Sequence, residues 1–115
     1  MTGNTMRIVL AAGGTGGHLF PAEALAGALL GRGFNVDLVT DERGTGFADR
    51  LAAVPVHRIA SGGIAGKGAS TRARNSLRLM LGVMQSRNLL KRLCPAVAVG
   101  FGGYPSVPPI LAAQW

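Results

Sequence analysis

The chain has 115 residues, 48% apolar and 15% charged, with a net charge of +7 and a single cysteine. That length supports one domain with one core, and that balance excludes a disordered chain. A lone cysteine excludes an internal disulfide and fits a reducing cytosol.

The charge is unevenly spread. Residues 1–50 hold all five acids against four arginines, and residues 51–115 hold eight bases and no acid. A basic half of this kind calls for an anionic partner: phosphate, nucleic acid or an acidic membrane surface. Cys94, next to a strand, reads as a small buried hydrophobe. Eighteen glycines cluster at 13–17, 62–68 and 100–103 without a fixed period. This excludes a collagen-like chain and points to loops that need close backbone approach.

Residues 1–5 read as a disordered leader, with no signal peptide, and residues 6–115 as the domain. Met6–Ala12 is a continuous apolar run, too short to span a membrane, and predicts a buried parallel strand. After the glycines at 13–17, a helix is expected from about His18 to Arg32. Its inner face would carry Leu25, Ala26, Leu29 and Leu30, and Pro21 would fall in its first turn. Gly33 ends it. Val36–Thr40 is a second strand, completing a βαβ unit with a right-handed crossover. Residues 46–53 suggest a short helix and Val56–Ala60 a third strand. Ser61–Ser70 reads as a flexible loop. A long helix follows over about Arg72–Leu93, stopped by Pro95. Ala96–Gly100 is a fourth strand, and a last helix is expected from about Ser106 to Gln114. The alternation predicts an α/β fold, a Rossmann-like, doubly wound parallel sheet. The chain stops at Trp115 where another strand is expected, so the sheet reads as truncated.

Gly13-Gly14-Thr15-Gly16-Gly17-His18 lies between a strand and a helix. Glycines there bring backbone N–H groups against a ligand, and the helix N-terminus adds positive potential, which favours a phosphate or diphosphate. A plain tight turn is the bland alternative, though four glycines exceed what a turn needs. A dinucleotide fingerprint fails because Leu19 stands where a third glycine or alanine is required. Asp41 at the end of the second strand only mimics its ribose-binding acid. A P-loop around Lys67 fails at Ser61 and Gly68. The second loop, Gly100-Phe101-Gly102-Gly103-Tyr104-Pro105, should leave the same edge of the sheet. Tyr104 would either contact a sugar or simply pack.

GGTGGHLFPA at 13–22, SGGIAGKG at 61–68 and GFGGYPSVPP at 100–109 resemble, in order, the peptidoglycan N-acetylglucosaminyltransferase (MurG) family. The resemblance implies the N-terminal, acceptor-binding domain of a B-type glycosyltransferase fold, without the C-terminal UDP-sugar domain. It implies an inverting hexosyltransferase. The full-length protein would move N-acetylglucosamine from UDP-N-acetylglucosamine to lipid I, the lipid-linked muramoyl pentapeptide, giving lipid II. This fragment alone would be inactive. The family pattern assigns Thr15, Gly16 and Gly17 to the donor UDP-N-acetylglucosamine. It assigns Gly13, Gly14, Gly102, Gly103 and Tyr104 to the acceptor diphosphate, and His18 to the role of base. No metal and no cofactor are implied, the sugar nucleotide being a substrate.

Transfer to a hydroxyl requires removal of its proton as the anomeric bond forms. A helix N-terminus favours neutral imidazole, so His18 could accept that proton, or it could merely cap the loop. His57, inside a strand, reads as structural. No His, Cys, Asp and Glu group has metal-ligand spacing.

On a helical wheel of the long helix, Leu79, Val83, Leu90 and Leu93 take one side. Leu77, Met80, Leu81 and Met84 take the other, bordered by Arg74, Arg78, Arg87 and Lys91. One stripe suits the sheet. The second, ringed by bases, fits an anionic membrane surface unless another element covers it. The six aromatic residues do not interleave with the bases, so no nucleic-acid partner is expected. Together with the family resemblance, this stripe implies a peripheral place on the cytoplasmic face of the bacterial plasma membrane. A non-catalytic module binding phosphate or membrane is the alternative.

Overall fold

The computed structural model describes residues 6–13, 16–41, 54–60, 68–102 and 107–114, residues 16–18 by backbone alone. In chain order these form β1 (Arg7–Ala11), α1 (Gly16–Gly31), β2 (Asn35–Thr40), β3 (Val56–Arg58), α2 (Ala69–Leu93), β4 (Val97–Gly100) and α3 (Val107–Ala113). The strands lie in the order β3-β2-β1-β4, and every pairing is parallel. The Rossmann-like sheet expected from the alternation is therefore present. The short helix expected over 46–53 lies outside the described residues.

Pleating divides the core in two. Ile8, Leu10, Val36 and Leu38 face α1, where Leu19, Ala22 and Ala26 are buried against them. Leu25, Leu29 and Leu30 flank this cluster, half-buried. Val9 and Val39 face the opposite side and pack with Ile59 and Leu89, beside Leu90 and Leu93 of α2. A sheet covered on both faces explains why β1 and β2 read as unbroken apolar runs.

α1 begins two residues before the expected His18, because Gly16 and Gly17 already have helical backbone. Pro21 is therefore the sixth helical residue and lies in the second turn. Its missing N–H falls where the carbonyl of Gly17 would otherwise accept. The C-terminus follows expectation. Gly33 has φ +88°, its N–H donates to Leu30 O, and the N–H of Phe34 donates to Leu29 O. This is a Schellman closure, with Phe34 packed back on the core.

α2 ends differently. Its C-cap is Cys94, the one described non-glycine residue with positive φ (φ 49°, ψ 56°), and its N–H donates to Leu90 O. The expected burial of this thiol fails for a local reason. Cys94 is exposed, and its Sγ donates to Lys91 O at 3.2 Å. A side chain in left-handed backbone is strained by about 1 kcal/mol. Cys94→Gly should therefore stabilise the fold by about that amount, raising the urea midpoint at unchanged slope. A lowered midpoint would show that the thiol contact outweighs the strain.

A further contact is invisible in the composition of α2. Gly82 is buried, and a Cβ built on it would stand 1.9 Å from the carbonyl oxygen of Ala60 and 3.1 Å from Cγ of Pro108. Gln85, one turn on, accepts the Ala60 N–H through Oε1 at 2.8 Å. The chain leaving β3 thus lies directly on α2, and α3 packs along the same helix.

Candidate functional site

β1 and β4 are neighbours, with Ala11 paired to Gly100, so both glycine loops leave the sheet side by side at one height. The N–H of Phe101 donates to Ala11 O at 2.8 Å, and that of Ala12 donates to Val39 O at 3.1 Å. These bonds carry the sheet one residue past its strands and fix where each loop begins. The strand order reverses between β1 and β4, which is where open parallel sheets hold ligands. α1 starts at this edge, where the N–H groups of its first turn have no acceptor within the helix.

The expected site residues fall here as follows. Gly13 is buried at the exit of β1, and Gly16, Gly17 and His18 are the first three residues of α1. Gly102 has φ +100°, a conformation that side chains rarely adopt, so the second turn specifically requires glycine. Gly14, Thr15, Gly103 and Tyr104, and the side chain of His18, lie outside the described residues. Asp41, the mimic of a ribose-binding acid, is buried (6% exposed).

The second stripe of α2 is exposed as the wheel requires. Leu77, Met80, Leu81 and Met84 show 67, 64, 51 and 58% of their surface. Arg74, Arg78 and Lys91 are also exposed. Arg87 departs from the expected ring of bases. It is half-buried and lines a groove of about 430 Å³ beside Cys94, Val97 and Ala112. The reason is angular, since Arg87 projects towards the β4 side of α2. Among the described residues no helix is long and apolar enough to cross a membrane.

His57 is structural, as its position inside a strand suggested. Its Nε2 donates to Asp37 Oδ2 at 2.7 Å, and Arg7 bonds Asp37 Oδ1. Asp37 is 1% exposed. The three residues come from three adjacent strands and share the face beneath α2, so the buried carboxylate is partnered on both oxygens. Sequence reading missed this set because register, not spacing, brings it together. Among the described residues no three His, Cys, Asp or Glu side chains gather where a metal could bind.

The glycosyltransferase family 28 N-terminal domain matches residues 8–115. The chain belongs to that family. It is 63% identical over 106 residues to the UDP-N-acetylglucosamine–N-acetylmuramyl-(pentapeptide) pyrophosphoryl-undecaprenol N-acetylglucosamine transferase of Rhodospirillum centenum, covering 92% of this chain and 28% of that protein. Among solved structures it resembles MurG of Acinetobacter baumannii with a TM-score of 0.76 and 30% identity, over 95% of this chain and 32% of that one. The glycosyltransferase SsfS6 of Streptomyces sp. SF2575 shares the fold at a TM-score of 0.64 and 18% identity, over 94% of this chain and 36% of that one. The chain thus spans under a third of the length of the curated relative. The two glycine segments follow paired strand ends, Ala11 of β1 and Gly100 of β4, as the sequence order had implied.

Proposed function

We propose that the full-length protein carrying this domain transfers N-acetylglucosamine from UDP-N-acetylglucosamine to a lipid-linked N-acetylmuramoyl pentapeptide, with inversion. The observation that carries this reading is the 63% identity, over nearly the whole chain, to a transferase whose name states that reaction. The paired glycine loops supply a physical basis. Gly13, Gly14, Gly102, Gly103 and Tyr104 hold the acceptor diphosphate through backbone donors, and Thr15, Gly16 and Gly17 approach the donor from the first loop. His18 takes the proton of the acceptor 4-hydroxyl as that oxygen bonds to the anomeric carbon and UDP leaves with its bonding electrons. The product serves peptidoglycan synthesis, and through it cell shape and division.

The test is transfer of labelled sugar by the purified full-length protein to a soluble acceptor analogue. The 115-residue segment alone should give none, because transfer needs both substrates held in one closed geometry. Phosphate or vesicle binding without any transfer by the full-length protein would favour the non-catalytic module instead.

The acceptor's lipid keeps its diphosphate at the headgroups, so the domain must come to the membrane. The exposed stripe of α2 is our proposed contact, docking peripherally on the cytoplasmic face of the plasma membrane. Burial of its four apolar side chains contributes several kcal/mol at most, roughly, and each nearby base on the order of 1 kcal/mol at low salt. A Leu77→Ser/Leu81→Ser variant should keep its fold and lose most co-sedimentation with anionic vesicles. Binding equal to that of the parent protein would refute the stripe's role.

A further inference from the structure

Among the described residues two buried side-chain hydroxyls have no hydrogen-bond partner, Thr40 Oγ1 and Ser86 Oγ. Both residues are 0% exposed, so bulk water does not reach them. Ser86 lies inside α2, where a serine hydroxyl has the carbonyl four residues back within reach by rotation about one bond. Thr40 ends β2 and has no such neighbour. Its own carbonyl accepts the N–H of Ile59 at 2.9 Å, and the carbonyl of Val39 accepts that of Ala12 at 3.1 Å. A buried hydroxyl without a partner is costly, and valine would fill the same space without that cost. Such a group calls for an explanation in function.

Its place in the sheet supplies one. Val36 and Leu38 of β2 pack beneath α1, and Thr40 follows at the same two-residue period. Ala11 is paired with Val39, so Ala12, buried in the cluster under α1, runs beside Thr40. The next residue, Gly13, is buried where β1 leaves the sheet. The hydroxyl therefore lies on the α1 side, at the strand end next to the first glycine segment. In a trans peptide the N–H and the carbonyl of the preceding residue point in opposite directions. Turning the Gly14 N–H outward to a diphosphate oxygen thus turns the Gly13 carbonyl inward, where a buried oxygen needs a donor. We propose that Thr40 is the positioning residue that supplies it, its O–H donating to the Gly13 carbonyl when the acceptor diphosphate is bound. That bond holds the peptide plane and so aims the N–H at the diphosphate. The inference rests on the transferase reading proposed above and adds to it a residue that touches no substrate.

The test uses the full-length protein, with urea unfolding and steady-state transfer to a soluble acceptor analogue. Thr40→Val keeps the shape and removes the hydroxyl, and Thr40→Ser keeps the hydroxyl. Thr40→Val should unfold at the urea midpoint of the parent or above it, yet raise KM for the acceptor about tenfold through loss of one hydrogen bond. Its kcat should change little, because the aimed N–H holds the diphosphate equally in the ground and transition states. Thr40→Ser should return the acceptor KM close to that of the parent. Ser86→Ala, which removes the other unpartnered hydroxyl, should leave that KM unchanged. A lower urea midpoint in Thr40→Val would show that the hydroxyl already has a partner, and an unchanged acceptor KM would show that the Gly13 carbonyl does not use it. Either result overturns the inference. A Thr40→Ser protein as impaired as Thr40→Val would assign the effect to shape and overturn it as well. All three leave the transferase reading standing, whereas absence of transfer by the parent protein would overturn both.

Discussion

Gly82→Ala should lower the stability of the domain by roughly 2 kcal/mol. A single methyl group would stand 1.9 Å from the Ala60 carbonyl oxygen, which belongs to backbone rather than to a flexible side-chain end. Ala60 cannot easily move away, because Gln85 of the same helix holds its N–H and Ile59 beside it is buried in the core. Cγ of Pro108 closes the other side at 3.1 Å. Overpacking of this kind costs about 3 kcal/mol at the upper end of its range, and the better helix propensity of alanine offsets about 1 kcal/mol. Gly27 provides the internal control. It lies inside α1, is exposed, and has nothing within 4 Å of an added Cβ. Gly27→Ala should therefore gain up to about 1 kcal/mol from the same propensity term. Urea unfolding of both variants reads the two signs together. A Gly82→Ala protein as stable as the parent would mean that α2 is free to slide off the β3 exit.

In the full-length protein, His18→Ala should reduce turnover by roughly two to four orders of magnitude, the range expected for loss of a general base, with a smaller effect on donor affinity. His18 is the third residue of α1, which follows β1 at the switch point of the sheet. Gly16→Val should behave differently, raising the KM values, because a branched side chain would intrude where backbone must approach a substrate. Near-normal turnover in His18→Ala would reduce His18 to a structural cap of the loop.

Much of this architecture was legible because its causes are local. The apolar runs at 7–11 and 36–40, the glycine stop at Gly33 and the break at Pro95 each specify an element within a few residues of themselves. The two opposed faces of α2 also followed from helical spacing alone, down to the four exposed apolar residues. What escaped was set at long range. Nothing around Cys94 announces a left-handed cap, a conformation more often given to glycine. The partnership of Arg7, Asp37 and His57 needs the strand register, which brings Val9 opposite Asp37 and Val39 opposite His57. Gly82 offered one faint signal, an isolated glycine inside a helical pattern, which commonly marks close packing. Its partners at 60 and 108 could not be named without the fold. The glycine segments were legible as turns after β1 and β4, and the adjacency of the strand ends they follow came with the parallel order. The role of each loop residue came from family resemblance rather than from spacing.

The pairing of Ile8 with Val97 also has a consequence for how the molecule is made. β1 and β2 are joined through α1 alone and can associate as soon as both have left the ribosome. β4 completes the other flank of β1 only after some 60 further residues have been synthesised, a loop closure that makes its docking slow relative to the first pairing. The two glycine turns therefore come together late. A nascent chain carries the first glycine turn long before the strand end that bears the second, so the paired edge of the sheet does not exist in a partly made protein.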